Sequence, residues 1–220
     1  MNVEIRVLDD PGEAAGELLA EAATPGTNLV LSGGSTVGSA YEAAAKRRSR
    51  WDGVHVWFGD ERAVAPDHEN SNYRLARETL LDALGTQPVV HRIHGEQAAD
   101  EAAARYDEEL EGVVLDLALN GIGPDGHTAS LFPGATALDE TERRAVAAEP
   151  CLEPFVTRVT LTPPTFAATG LLVYLVTGEP KAEAVRRAFA EEPDPSTPAS
   201  LVRGRRTIAL LDAAAASLLP

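Results

Sequence analysis

Short runs of apolar, β-branched residues recur along this 220-residue chain, and between them lie stretches rich in Ala, Glu and Arg with helical spacing. This alternation is the strongest constraint on the fold. Strands joined through single helices cannot pair as hairpins, because a helix-length crossover returns the chain to the same end of a sheet and makes the next strand parallel. The class is therefore α/β, with helices packed around a mostly parallel sheet. Strands are expected at 3–8, 28–32, 54–59, 89–93, 113–119, 155–161, 170–177 and 207–211, and helices at 12–23, 37–48, 71–84, 97–110 and 181–190. No internal repeat is visible. The one linker-like stretch, EEPDPSTP at 191–198, is too short to separate domains and reads as a surface loop. A single domain over 1–220 is expected, which also suits the length.

Composition excludes several classes. Hydrophobic residues at 44% and charged residues at 24% are ordinary globular usage, so the chain should fold. Acidic residues outnumber basic ones 34 to 19, and a net charge of -15 repels nucleic acid and anionic lipid, so any anionic ligand must be gripped by a local pocket. No apolar run approaches the roughly 20 residues that a membrane helix requires. The lone Cys151 cannot form an intramolecular disulfide, and the opening MNVEIRVLDD lacks the basic-then-apolar order of a signal peptide. A cytoplasmic protein is expected, without nucleic-acid or membrane partners, as a monomer or small homo-oligomer. Lys46 and Lys181 are its only lysines, an Arg- and Ala-rich bias that suits a GC-rich or a salt-adapted source.

In open α/β sheets ligands collect at the carboxyl ends of the strands, so the chemistry should lie in the loops that follow them. Ser32-Gly33-Gly34-Ser35-Thr36 follows a strand and opens a helix, where close backbone approach and unpaired N–H groups favour a phosphate. A tight turn with a Ser or Thr cap is the equal alternative. The Gly-Lys-Ser/Thr of a nucleotide-triphosphate loop is missing. After the strand 54–59 come Asp60, Glu61 and Arg62. Arg62 can fork onto an anion with Asp60 holding it, whereas Glu61 is expected to be a solvated turn residue, Ser71 a helix cap and Tyr73 a packing residue.

The third loop, GIGPDGHTASLFPG at 121–134, contains a G-x-G-x-x-G pattern, but Pro133 ends any helix too soon for a dinucleotide site. What remains is a glycine-rich loop displaying Asp125 and His127. Histidine is the side chain best suited to take a proton near neutral pH, and loop amides can face a developing oxyanion. Arg158 lies inside an apolar strand, which is costly unless it serves an anion or faces solvent at an edge. Lys181 opens a helix against the dipole, a penalty that a bound anion would reverse. His55, His68, His91 and His94 have no zinc spacing, so no metal is expected.

Taken together, SGGST at 32–36, GDERAVAPDHENSNY at 59–73, GIGPDGHTASLFPG at 121–134, RVTLT at 158–162 and TGEPK at 177–181 resemble the 6-phosphogluconolactonase family, part of a superfamily with the glucosamine-6-phosphate deaminases. The resemblance implies a single-domain, three-layer α/β/α fold with a mostly parallel sheet, a modified Rossmann-like architecture. It implies no cofactor and hydrolysis of 6-phosphogluconolactone in the oxidative pentose phosphate pathway. Carried over to this chain, it makes His127 the general base with Asp125 in support. It places the substrate phosphate on Ser32, Gly33, Gly34, Ser35, Arg158 and Lys181, with Arg62 at the sugar-acid end and Asp60 orienting Arg62. Deaminases of the superfamily carry a glutamate five residues after the histidine, where this chain has Phe132, so a deaminase or isomerase is the weaker reading. A non-catalytic phosphosugar-binding protein is a further alternative, opposed by the presence of His127.

Overall fold

The computed structural model describes residues 3–220, so the first two positions of the expected 1–220 domain lie outside the described residues. The elements run β1 (Glu4–Val7), α1 (Pro11–Ala22), β2 (Asn28–Leu31), α2 (Val37–Arg47), β3 (His55–Phe58), β4 (Asp60–Arg62), α3 (Asn72–Thr79), β5 (Val89–Val90), α4 (Ala99–Glu109), β6 (Leu117–Asn120), β7 (Ala145–Ala148), β8 (Arg158–Leu161), α5 (Pro163–Ala168), β9 (Leu171–Val176), α6 (Ala182–Phe189), α7 (Pro198–Leu201) and β10 (Arg206–Leu211). Each expected helix forms to within a few residues, except that the one read over 71–84 stops at Thr79 and closes with a 3-10 turn, Leu81–Ala83.

Seven strands form one sheet in the order β1-β10-β9-β6-β2-β3-β5, and every pairing in it is parallel. Successive side chains along a strand point to opposite faces, so a run of buried neighbours means that both faces are covered. Leu29 to Leu31, Leu172 to Val176 and Thr207 to Leu211 are such runs, which is the three-layer arrangement. The edge strands β1 and β5 are partly exposed, as edges must be.

The chain leaves β2 towards β3 on one side and leaves β6 towards β9 on the other. The strand order therefore reverses between β2 and β6, whose carboxyl ends part to form a crevice. Their pairing stops at Val30 and Ala118. Past that point Ser32 has no neighbouring strand for its backbone groups, and Tyr41 of α2 supplies them. Its hydroxyl accepts from Ser32 N at 2.8 Å and donates to Ser32 O at 2.6 Å. Tyr106 of α4 repeats the device at the end of β3, accepting from Phe58 N at 2.8 Å and donating to Phe58 O at 3.1 Å where the two-residue β5 has already ended. Both phenols are buried, and burial pushes their pKa values well above the ordinary range, so both hydroxyls keep their protons.

One part of the architecture departs from expectation. The strand read over 155–161 does not join the parallel sheet. It begins at Arg158 and forms the centre of a separate antiparallel sheet, β4-β8-β7. Asp60 and Arg62 thus lie on a short strand and not in a loop. The register sets Arg62 directly opposite Arg158 and Asp60 opposite Thr160. The strands β4 and β7 and the helices α5 and α7 had no sequence expectation. Both helices start on proline, which ends a helix in its interior but suits its first turn.

Replacing Tyr41 with phenylalanine strands a buried N–H and C=O at the rim of the crevice. A loss of about 1–3 kcal/mol in unfolding free energy is expected, checked by urea denaturation. An unchanged midpoint would show that Ser32 does not depend on the phenol.

Candidate active site

The crevice between β2 and β6 opens into a cavity of ≈ 210 Å³. Its wall includes Ser32, Gly33, Gly34, Ser35, Asp60, Arg62, His127, Arg158 and Lys181, so residues spread over 150 positions of sequence are gathered at one place. Asp125 stands behind His127, outside the lining. α2 points its N-terminus into the cavity, and its cap residue Thr36 makes no side-chain capping bond, so the first amides of the helix remain available to a ligand.

His127 is oriented from behind. Its Nδ1 lies 2.5 Å from Asp125 Oδ1, which also accepts from the His127 amide at 3.2 Å. Burial pushes the Asp125 pKa up, but the hydrogen bonds and charge of His127 outweigh it and hold the carboxyl below its usual value. An ionised carboxylate can only accept, so in the neutral imidazole Nδ1 carries the proton and Nε2 the lone pair. On its other side the imidazole packs on Phe132, ring centroids 4.6 Å apart.

The cations are unevenly satisfied. Arg158 is only 2% exposed, donates from Nη2 to the carbonyls of Leu152 at 3.0 Å and Glu153 at 3.4 Å, and leaves Nε buried without a partner. Its guanidinium lies over the Phe132 ring at 5.2 Å. Arg62 donates from Nη1 to Asn70 O and Asn72 Oδ1, and its Nε too is unpartnered. Lys181 is half-buried, and burial lowers its pKa while Asp125 partly restores it. Among the described residues no carboxylate lies within 4.0 Å of its ammonium. Three cations converge here, two of them with an unpartnered donor, and such an arrangement is suited to an anion.

Beneath this wall runs a polar network. Ser32 Oγ donates to Leu119 O at 2.6 Å and Asn120 Nδ2 donates to Thr128 Oγ1 at 3.1 Å, joining the first loop to the third. Ser130 Oγ donates to Asp60 Oδ2 at 2.6 Å, and Asn72 Nδ2 donates to Asp60 Oδ1 at 2.9 Å, joining the third to the second.

The sequence profile of the glucosamine-6-phosphate isomerases/6-phosphogluconolactonase family matches residues 10–210. The chain belongs to this family. The 6-phosphogluconolactonase of Nostoc sp. (strain PCC 7120) is 36% identical over 202 residues, which cover 85% of this chain and 82% of that protein. The crystal structure of 6-phosphogluconolactonase from Thermotoga maritima superposes with a TM-score of 0.84 at 27% identity, covering 96% of this chain and 100% of that one. A monomeric glucosamine-6-phosphate deaminase superposes almost as well, TM-score 0.83 over 99% of this chain and 100% of that one, but at 20% identity it shares the fold alone.

All of the expected residues except Asp125 line this one cavity, and the geometry revises the expectations for Asp60, Ser32 and Glu61. Asp60 does not touch Arg62 through its side chain, because Asn72 stands between them, bonded to both. The Ser32 hydroxyl is committed to Leu119 O and so anchors the loop. Glu61 is not solvated. It is 3% exposed, its Oε1 accepting from the Arg62 and Asn72 amides and its Oε2 from Ser71 Oγ and the Tyr73 amide. Burial raises its pKa against the three amides. Ser71 caps α3 and Tyr73 packs edge-on against Phe58, as expected. Asn72, Asn120 and Ser130 were not singled out from sequence. Their one signal is position, since Asn72 and Ser130 fall inside the charged and glycine-rich motifs and Asn120 immediately precedes the latter.

Glu61→Gln would turn an amide NH2 towards two of those donors. We expect a loss of about 1–3 kcal/mol in unfolding free energy with the fold retained. Circular dichroism and denaturation check this, and a neutral effect would contradict the buried capping role.

Proposed function

We propose that this protein hydrolyses 6-phospho-D-glucono-1,5-lactone to 6-phospho-D-gluconate, with the whole chain, 1–220, as one catalytic domain acting in the cytoplasm. The observation that carries the reading is the His127–Asp125 pair, with Nε2 of His127 free to take a proton, in a cavity walled by Arg62, Arg158 and Lys181. A base beside an anion clamp fits a phosphorylated substrate whose reactive carbon needs a water molecule. Family membership and the Nostoc relative's activity support the same conclusion.

In this mechanism the phosphate is held by the Gly33 to Ser35 loop, the α2 N-terminus, Arg158 and Lys181, while Ser32 fixes the loop in place. Anchoring the phosphate holds the lactone carbon near His127, which converts the attack into an intramolecular event. His127 Nε2 takes a proton from water as the water oxygen bonds to the carbonyl carbon. Asp125 stabilises the imidazolium that forms. Loop amides and Arg62 stabilise the tetrahedral oxyanion and then the carboxylate. The bond from the carbon to the ring oxygen breaks, the proton held on His127 passes to that oxygen, and the carboxylic acid so formed loses the second water proton to solvent. No cofactor enters this scheme. Phe132 lines His127 with an apolar ring where the resemblance places a carboxylate in deaminases, which favours the lactonase over the isomerase chemistry.

A base and a phosphate ligand fail differently. His127→Asn should lower kcat by about 10²–10⁴-fold while calorimetric affinity for 6-phosphogluconate barely changes. Lys181→Ala should weaken that affinity about tenfold or more, a charge-assisted bond being worth roughly 1.5–3 kcal/mol. Normal turnover in His127→Asn, or loss of product binding as large as the loss of rate, would overturn its role as base.

A further inference from the structure

Asn72 is 1% exposed, yet it forms part of the cavity wall. It sits in the first turn of α3, where Glu61 holds its amide N–H at 2.8 Å. Its carboxamide is fully engaged. Nδ2 donates to Asp60 O at 2.8 Å and Asp60 Oδ1 at 2.9 Å, and Oδ1 accepts from Arg62 Nη1 at 2.7 Å. These partners fix the orientation of the amide, since a flipped group would turn its NH2 on a guanidinium and its oxygen on two oxygens.

Two anion-binding elements rest on this one group. A guanidinium is planar, so the two acceptors of Arg62 Nη1, Asn70 O at 2.9 Å and Asn72 Oδ1, define its plane and leave the unpartnered Nε on the other side of the fork. Gly33 lies against the same oxygen. A Cβ at that position would stand 1.8 Å from Asn72 Oδ1, so only glycine lets the loop backbone approach this closely. Asn72 thus spans the gap between the loop that opens α2 and the arginine on β4, while Asp60, fixed by Ser130, holds it from behind.

We infer that Asn72 is a positioning residue for the hydrolysis proposed above: it sets the plane of Arg62 and the separation of Arg62 from the Gly33 loop, so that both meet the substrate in register. The inference rests on the lactonase reading. Asn72 acts through Arg62, which distinguishes it from a residue that merely supports the fold.

A double-mutant cycle on the full chain tests this, with kcat/KM for 6-phosphogluconolactone as the readout. Arg62→Lys serves as the second change, because lysine keeps the charge and some activity but has no fork for Asn72 to orient. Asn72→Ala alone should lower kcat/KM by about tenfold or more. In the Arg62→Lys background the same change should cost less than about twofold. Equal losses in both backgrounds would overturn the inference and show that Asn72 acts on the fold or on the loop alone. If Asn72→Ala does not fold, as judged by its thermal melt, Asn72→Ser, whose shorter hydroxyl cannot reach Arg62, carries the same comparison. Absence of hydrolysis by the unmutated chain would instead overturn the functional reading itself.

Discussion

The site depends on a buried carboxylate. Asp60 is 5% exposed at the start of β4, and a carboxylate in the interior is tolerated only where its oxygens find donors. Ser130 satisfies one oxygen and Asn72 the other. Because Ser130 belongs to the histidine loop and Asn72 to α3, satisfying Asp60 forces those two segments together above β3. Asn120 and Ser32 make the equivalent junction between β6 and β2. Loops that would be independently mobile at the ends of separate strands become one rigid wall. A partly satisfied version of such a network would be worse than an apolar core, so its members stand or fall together.

The wall leaves two of its guanidinium groups incompletely satisfied. Arg62 and Arg158 face each other across the β4–β8 ladder, each with a buried Nε lacking a partner, and like charges so placed repel until an anion lies between or beside them. Burial lowers the pKa of Arg158, as expected for a cation held away from water, with Arg62 adding to the effect and Asp60 opposing it. Phe132 separates this cationic side from His127, touching both with its ring. Phe132 is itself buried and does not line the cavity, so it supports both groups from beneath; in the proposed reaction they serve as part of the anion clamp and as the base.

Much of this was legible in the sequence, and the exceptions have physical causes. The parallel sheet followed from strand and helix periodicity, and the crevice from the rule that ligands gather at strand carboxyl ends. Arg158 and Lys181 stood out because each is an unusual residue for its local setting, and Asp125 and His127 because a glycine-rich loop displays them together. The antiparallel sheet was missed because β4 and β7 are three and four residues long, too short to show alternation, and β4 reads as three adjacent charges. For the same reason Glu61 looked solvated. Its burial depends on the α3 amides of Asn72 and Tyr73, eleven and twelve residues away, a tertiary contact that local charge patterning does not register. Asn72 and Ser130 carry no charge and look like ordinary polar loop residues until the fold brings Asp60 between them.

The most direct test of this account is the initial rate of hydrolysis of freshly prepared 6-phosphogluconolactone by the unmutated protein, with the spontaneous rate subtracted, set beside ammonia release from glucosamine 6-phosphate under the same conditions. Enzyme-proportional lactone hydrolysis with no ammonia release is the predicted result. Ammonia release at a comparable rate, or lactone hydrolysis no faster than in buffer, would contradict it.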